Sequence, residues 1–96
     1  MPKYIVMASW TDQGIKNIKD SPSRVDAARA MAKKAGCTMG DFYMTIGKAD
    51  MLIVFDAPDD EAMAKCNLAL AMGGNVRTTT MKAFTEAEYR KIIGSL

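Results

Sequence analysis

Four residues have side chains that could bind a ligand or take part in a reaction: Trp10, Tyr43, Asp50 and Lys82. Asp50 ends the segment 47–50, which separates two apolar runs. A carboxylate there acts either as a general base or polar anchor at the mouth of a cleft, or as an acceptor for turn amides. The hydroxyl of Tyr43 either binds a ligand or is hydrogen-bonded within a subunit interface.

Trp10 and Lys82 have two open interpretations as well. Trp10 ends the first predicted strand, where it either walls a pocket between helix and sheet or fills the core. Lys82 continues the alternating row of Val76, Thr78 and Thr80. Such a row either lines a polar cavity that binds an anion or protects an exposed edge strand. For all four candidate residues the sequence favours the structural role and leaves the ligand-binding role open.

The residues that several kinds of functional site require are absent from this sequence. The chain contains no His, which removes the commonest general base and the commonest neutral metal ligand. Cys37 and Cys66 are far apart and form no CxxC motif, so we expect two reduced, buried thiols. The nine methionines occupy mainly core positions and form no metal-binding cluster. No phosphate-binding glycine loop is present. We therefore predict no metal and no cofactor.

The composition restricts the classes of partner that we expect the protein to bind. Thirteen basic and eleven acidic residues leave a net charge of +2, which is too weak to indicate nucleic acid or an anionic membrane. No apolar stretch approaches the ~18 residues of a membrane span, and the N-terminus carries no signal-peptide pattern. We expect a cytoplasmic protein that forms one domain over residues 1–96.

Strand and helix patterns alternate along the chain. Strands are predicted over 4–10, 42–46, 51–55 and 76–84. Thr11 caps a short helix whose apolar stripe is Ile15 and Ile18. A longer helix starts with Ser21 as its cap and ends before Gly36.

Two further helices complete the order. One follows the acidic residues 59–61, with a stripe of small apolar side chains, and closes at Gly73. The last begins with a capping box of Thr85 and Glu88 and carries its apolar side on Tyr89, Ile92, Ile93 and Leu96.

The second and third strands form a predicted hairpin. In the simplest register Ile46 pairs with Met51, which also pairs Met44 with Ile53 and Phe42 with Phe55. These six residues share the face that meets the helices. The opposite face carries the predicted subunit contacts, Tyr43, Thr45, Leu52 and Val54.

The order β-α-β-β-α-β with a C-terminal helix predicts an α+β, ferredoxin-like fold with a four-stranded antiparallel sheet. Two helices cover one face of such a sheet. The strands over 4–10 and 51–55 are apolar on both faces, and a monomer would expose a large apolar patch. We therefore predict a homodimer or higher homo-oligomer.

Motifs along the whole chain resemble those of the GYD domain family. They are Trp10–Ile15, Asp41–Tyr43, Gly47-x-x-Asp50, residues 57–60, residues 74–78 and residues 83–85. The resemblance implies a ferredoxin-like fold of the dimeric α/β-barrel type. Ala49 stands where the aromatic residue of the Gly-Tyr-Asp signature is expected, so no role of that ring is carried over.

Three functions stay open at this point. The protein is a non-catalytic oligomer that binds a small molecule, or an assembly or regulatory module that binds a partner. The alternative is a small enzyme similar to the cofactor-independent monooxygenases, with Trp10, Tyr43, Asp50 and Lys82 lining an apolar cleft. A pocket of a few hundred Å³ with convergent polar groups would distinguish ligand binding from a purely structural role.

Overall fold

A computed structural model that describes all 96 residues contains four strands and four α-helices, in the order β-α-α-β-β-α-β-α. The strands are β1 (Lys3–Trp10), β2 (Thr38–Met44), β3 (Met51–Asp56) and β4 (Val76–Ala83). The helices are α1 (Asp12–Lys16), α2 (Ser21–Lys34), α3 (Asp60–Met72) and α4 (Glu86–Gly94). A 3₁₀ turn over Ile18–Asp20 joins α1 to α2.

The strands form one antiparallel sheet in the order β2-β3-β1-β4. The strands that are apolar on both faces, β1 and β3, therefore lie in the centre, as expected for buried strands. Helices α2 and α3 cover one face, which we call the helix face. The predicted α+β, ferredoxin-like fold is confirmed. None of the helices is long and apolar enough to cross a membrane.

The core lies between the helix face and the two covering helices. It is formed by alternate residues of the central strands, by the start of β2 and by the inner sides of α2 and α3. Its buried residues are Tyr4, Val6, Ala8, Ala32, Cys37, Met39, Met51, Ile53, Phe55, Ala57, Met63 and Cys66.

The hairpin register differs from the prediction. Met44 pairs with Met51, and Phe42 pairs with Ile53. The pairing is two residues away from the predicted register, so each side chain keeps its predicted face because the repeat along a strand is two. An irregularity between Met39 and Phe42 then brings Met39 opposite Phe55. Ile46 lies outside β2 and is fully exposed, so its predicted contact with the helices is wrong.

The turn itself explains this shift. The amide of Thr45 donates to the carbonyl of Asp50 over 2.7 Å, and the Thr45 hydroxyl donates to the carbonyl of Ala49 over 2.7 Å. These bonds close a loop longer than the four residues that the apolar pattern indicated. Gly47 has a φ of +133°, a backbone conformation that favours glycine.

Helix α1 also packs differently from the prediction. Thr11 caps it as expected, accepting a hydrogen bond from the amide of Gly14 over 3.1 Å. Ile15 and Ile18, however, are 53% and 37% exposed, so they form no buried stripe. Gly14 is the buried residue, and a Cβ there would lie 2.1 Å from the carbonyl oxygen of Asn75. A five-residue helix that approaches another backbone this closely has little room to bury larger side chains.

Helix α4 has the predicted capping box but no packing partner. Thr85 and Glu88 exchange both capping hydrogen bonds. The apolar side predicted for this helix is present but exposed, and no residue of α4 is buried. The exposed apolar residues of this segment are Phe84, Tyr89, Ile92, Ile93 and Leu96.

Candidate functional site

A cleft of about 240 Å³ lies on the helix face, in the gap between α2 and the end of α3. Its floor includes Val6, Ala8 and Phe55, and fifteen of its nineteen lining residues are apolar. Small side chains on the helices, such as Ala28 of α2 and Ala69 of α3, leave the space open. An apolar cleft with a few polar groups is the usual form of a small-molecule site.

Four polar residues line this cleft: Ser21, Arg24, Asn75 and Thr78. Ser21 and Arg24 belong to the first turn of α2, and Asn75 precedes β4. The guanidinium of Arg24 donates to the carbonyl oxygen of Asn17 over 3.0 Å and to that of Gly14 over 3.2 Å. None of the lining residues is acidic.

Trp10 lines the cleft, and the side chain of Asp50 binds the backbone amide of Trp10. The amide of Trp10 donates to a carboxylate oxygen of Asp50 over 3.0 Å, and the amide of Asp50 donates to the carbonyl of Ala8 over 3.0 Å. The carboxylate therefore accepts an amide, as the structural interpretation expects. The donor belongs to β1 and not to the turn. Asp50 itself is not among the lining residues.

Tyr43 lies on the other side of the sheet. It pairs with Leu52 and is 56% exposed. The strand register places Ile5, Met7, Val54 and Met81 on the same side, which we call the open face, because no helix covers it. Leu52 and Val54 are half-buried there.

Thr45, the remaining predicted interface residue, lies beyond the end of β2. It is half-buried, and its hydroxyl is used within the turn. Thr45 therefore lies at the border of the open face, outside the paired strands.

Lys82 lies at the opposite end of the sheet from Trp10. Its ammonium is 3.8 Å from a carboxylate oxygen of Asp60, which also accepts a hydrogen bond from the hydroxyl of Tyr4. That hydrogen bond raises the pKa of Tyr4 to about 12. Of the four candidate residues only Trp10 lines this cleft, and the structure does not bring the other three to it.

The threonine row of β4 lies on the helix face. Thr78 pairs with Ala8 and lines the cleft, whereas Thr80 pairs with Val6. The hydroxyl of Thr80 is buried without a hydrogen-bond partner. β4 is an edge strand, and of this row Val76 and Thr78 line the apolar cleft, whereas Thr80 and Lys82 do not.

Both thiols are buried and free. Burial, together with the neighbouring Cys37, raises the pKa of Cys66 to about 11. A thiol with a raised pKa is a poor nucleophile at neutral pH. The sulfurs therefore belong to the core.

Sequence reasoning missed Ser21, Arg24 and Asn75 as lining residues of one cleft. Arg24 has the helical spacing of a surface residue, and Asn75 follows the pair Gly73 and Gly74, as a loop residue does. The signal that was available is the small size of Ala27, Ala28 and their neighbours on α2, which permits a gap above the sheet.

A four-stranded antiparallel sheet with two helices on one face and an uncovered apolar face on the other defines a small ferredoxin-like domain. The model of the GYD domain family matches residues 4–93, and the chain belongs to this family.

One curated relative is named for the enzymes that it binds. The chain is 29% identical over 89 residues to the glutamine synthetase and cystathionine beta-lyase binding protein of Thermus thermophilus. The match covers 92% of this chain and 94% of the relative.

Solved structures with the same fold are larger. The leucine response regulatory protein of Mycobacterium tuberculosis superposes with a TM-score of 0.66 at 14% identity, over 88% of this chain and 51% of that one. The feast or famine regulatory protein of M. tuberculosis, complexed with L-methionine, gives a TM-score of 0.68 at 14% identity, with the same coverage. This chain thus spans about half the length of these regulators, and the likeness shows the fold alone.

Proposed function

We propose that the protein is a non-catalytic homo-oligomer that binds a small, mostly apolar molecule in the cleft between α2 and α3. The cleft is the observation that carries this proposal. Its accessible apolar surface comes from half-buried side chains such as Trp10, Phe42 and Leu70. A ligand there would exchange water for a rigid apolar surface, which favours binding.

The geometry leaves the cleft available in an oligomer. The cleft lies on the helix face, whereas the open face carries Ile5, Met7, Leu52 and Val54 on the other side of the sheet. A second copy that covers the open face would not block the cleft. Ligand binding and self-association are therefore compatible in one molecule.

The experiment is a thermal-shift screen of small apolar compounds against the wild type and two matched variants. Ala28→Leu adds bulk to a cleft residue, and Ala30→Leu makes the same change at an exposed position of α2. Compounds that bind the folded protein raise its melting temperature. We expect Ala28→Leu to abolish these shifts and Ala30→Leu to retain them. Shifts that persist in Ala28→Leu, or no shift with any compound, would contradict the proposal.

A second candidate function is regulation of another protein through α4. Tyr89, Ile92 and Ile93 are 57%, 46% and 51% exposed on one helix, and the Thermus relative is named for binding two metabolic enzymes. Amphipathic helices commonly dock their apolar side into a groove. Co-sedimentation of the protein with the glutamine synthetase of its own organism tests whether α4 binds such a partner. Complex formation by the wild type that Ile92→Glu abolishes, and that Lys91→Glu retains, is the expected result.

The enzymatic alternative has less support. It required Trp10, Tyr43, Asp50 and Lys82 to share one cleft, and three of them lie elsewhere. The carboxylate of Asp50 is already used by the amide of Trp10. We therefore favour ligand binding over catalysis as the function of the protein.

A further inference from the structure

Arg24 is the one cationic residue that lines the cleft. The four ion pairs of the protein are formed by other cations, and no carboxylate lies within 4.0 Å of the Arg24 guanidinium. Its hydrogen bonds to the carbonyls of Asn17 and Gly14 hold the group in place. A guanidinium has five N–H donors, so these two bonds leave others free. Arg24 is thus a fixed, unpaired positive charge at the edge of an apolar cavity.

The polar neighbours of Arg24 in the cleft also offer donors. The amide oxygen of Asn75 accepts a hydrogen bond from Gln13 over 3.0 Å, which leaves the amide nitrogen of Asn75 free to donate. The hydroxyl groups of Ser21 and Thr78 are neutral and can donate as well.

The nearest acids lie outside this lining. Asp20 is exposed in front of α2, and Asp26 borders a shallower depression that continues the cleft beyond Trp10 and Phe42. A cationic ligand in the cleft would meet Arg24 and no opposite charge. An anionic ligand would meet a charge-assisted donor that also fits a carboxylate in a bidentate way.

We infer that the cleft binds a small molecule with an apolar body and one carboxylate, and that the carboxylate lies against Arg24. The inference rests on the proposed ligand-binding function and names the ligand class. An apolar cavity of ~150 Å³ holds benzene. The volume of about 240 Å³ therefore suits a body somewhat larger than one aromatic ring.

The test compares three probes with the same phenylpropyl body: 3-phenylpropionate, 3-phenylpropanamide and 3-phenylpropylamine. Isothermal titration of the full chain at neutral pH measures each affinity. We expect the acid to bind about tenfold or more tightly than the amide, and the amine to bind most weakly, because hydrogen bonds to a charged group are the stronger ones.

Variants at two arginines of α2 assign the effect. Arg24→Gln should lower the affinity for the acid to that for the amide and leave the amide unchanged, whereas Arg24→Lys, which keeps the charge but not the bidentate fork, should retain part of the preference. Arg29→Gln is the control, because Arg29 also donates to backbone carbonyls, those of Met39 and Gly40, but lies outside the cleft. Circular dichroism checks that each variant is folded.

The outcomes separate the two proposals. Equal affinity for acid and amide, abolished by Ala28→Leu, would overturn the carboxylate inference and support binding in the cleft. An acid preference that survives Arg24→Gln would overturn the role of Arg24. Binding of none of the probes would contradict this ligand class, while the broader compound screen tests cleft binding by itself.

Discussion

At the scale of single residues, the carboxylate of Asp50 holds the end of β1 against the turn that precedes β3. It accepts the amide of Trp10, while its own amide donates to the carbonyl of Ala8. The pairing of the two central strands ends at Ala8 and Met51, so Asp50 extends the ladder by a side chain. The same bond positions Trp10 beside the cleft.

This arrangement predicts a difference between two substitutions. Asp50→Ala leaves the half-buried amide of Trp10 without its acceptor, which costs about 1–3 kcal/mol of the free energy of unfolding. Asp50→Asn retains an acceptor oxygen and should cost less. Urea denaturation measures both, with the exposed neighbour Lys48→Ala as the control. Equal stability of Asp50→Ala and Lys48→Ala would show that the bond contributes little.

The hydroxyl of Tyr4 gives the protein a pH dependence at alkaline pH. Its hydrogen bond to Asp60 and its burial raise the pKa from 10.0 to about 12 in the folded state. The unfolded chain loses this proton near pH 10, while the folded protein keeps it up to about pH 12. The stabilisation is therefore complete below pH 10 and is lost as the pH rises through 12.

Absorbance titration of the phenolate tests this statement. One of the three tyrosines should ionise near pH 12 in the wild type, and Tyr4→Phe should remove that step. Asp60→Asn should move the step to lower pH, since the carboxylate is the main cause of the shift. If the step near pH 12 persisted in Tyr4→Phe, another tyrosine would be responsible for it.

At the scale of the elements, α1 is positioned by a backbone contact. Gly14 lies against the carbonyl of Asn75, which accepts the amide of Thr11 over 3.0 Å. Gly14→Ala brings a methyl group into this contact, and the resulting displacement should cost about 1–3 kcal/mol. Gly94→Ala is the matched control in α4, since a Cβ there has nothing within 4 Å.

The two glycine variants should differ in sign. Gly94→Ala reduces the backbone freedom of the unfolded chain, so it should stabilise α4 by up to about 1 kcal/mol, mostly locally because α4 buries no residue. Thermal unfolding of both variants, compared with the wild type, measures the difference. If Gly14→Ala were as stable as Gly94→Ala, the close approach of α1 to Asn75 would have no energetic importance.

The capping box makes α4 a helix in spite of its lack of packing. The amide of Thr85 donates to Glu88 over 2.8 Å, and this bond lowers the pKa of Glu88. Thr85→Ala should cost α4 about 1 kcal/mol of local stability. Because α4 buries no residue, we expect faster hydrogen exchange in residues 86–94 with little change in the global unfolding transition. Lys91→Ala is the control, and equal exchange in both variants would contradict the role of the cap.

Local patterns predicted the elements better than their contacts. The capping box of Thr85 and Glu88 depends on residues three apart, so the sequence reveals it directly. The register of the hairpin depends on how Thr45 bonds to Asp50 across the turn, which the apolar runs do not encode. Ile15 matched a helical stripe but is exposed, because the position of α1 is decided by Gly14 and a distant loop.

At the scale of the whole molecule, the sequence suggested Trp10 as a pocket wall but not the rest of the cleft, for a similar reason. It is a gap between α2 and α3, and its volume depends on how far apart the two helices lie. Arg24 looks like any surface cation in the sequence, and only the fold shows that it lines this gap. By contrast, the order of residues in β1 and β3 shows directly that both of their faces are apolar, and this pattern predicted the uncovered face.

The open face leads to the last prediction, which concerns self-association. Ile5, Met7, Leu52 and Val54 form a continuous apolar surface across the two central strands, and Met81 extends it onto β4. A surface of this kind is rare on monomers and is typical of interfaces. We expect the wild type to sediment as a dimer or larger assembly of the 10.5 kDa chain at micromolar concentration.

A matched pair of variants locates this interface. Leu52→Arg places a charge in the middle of the open face, where burial against a second copy would leave it unpaired, so the assembly should dissociate. Ile46→Arg introduces the same charge in the same hairpin at a residue that is 100% exposed, and it should leave the mass unchanged. A wild type that sediments as a monomer would refute self-association. A Leu52→Arg variant that is folded and still dimeric would instead move the interface to another surface, of which the exposed apolar side of α4 is the next to test.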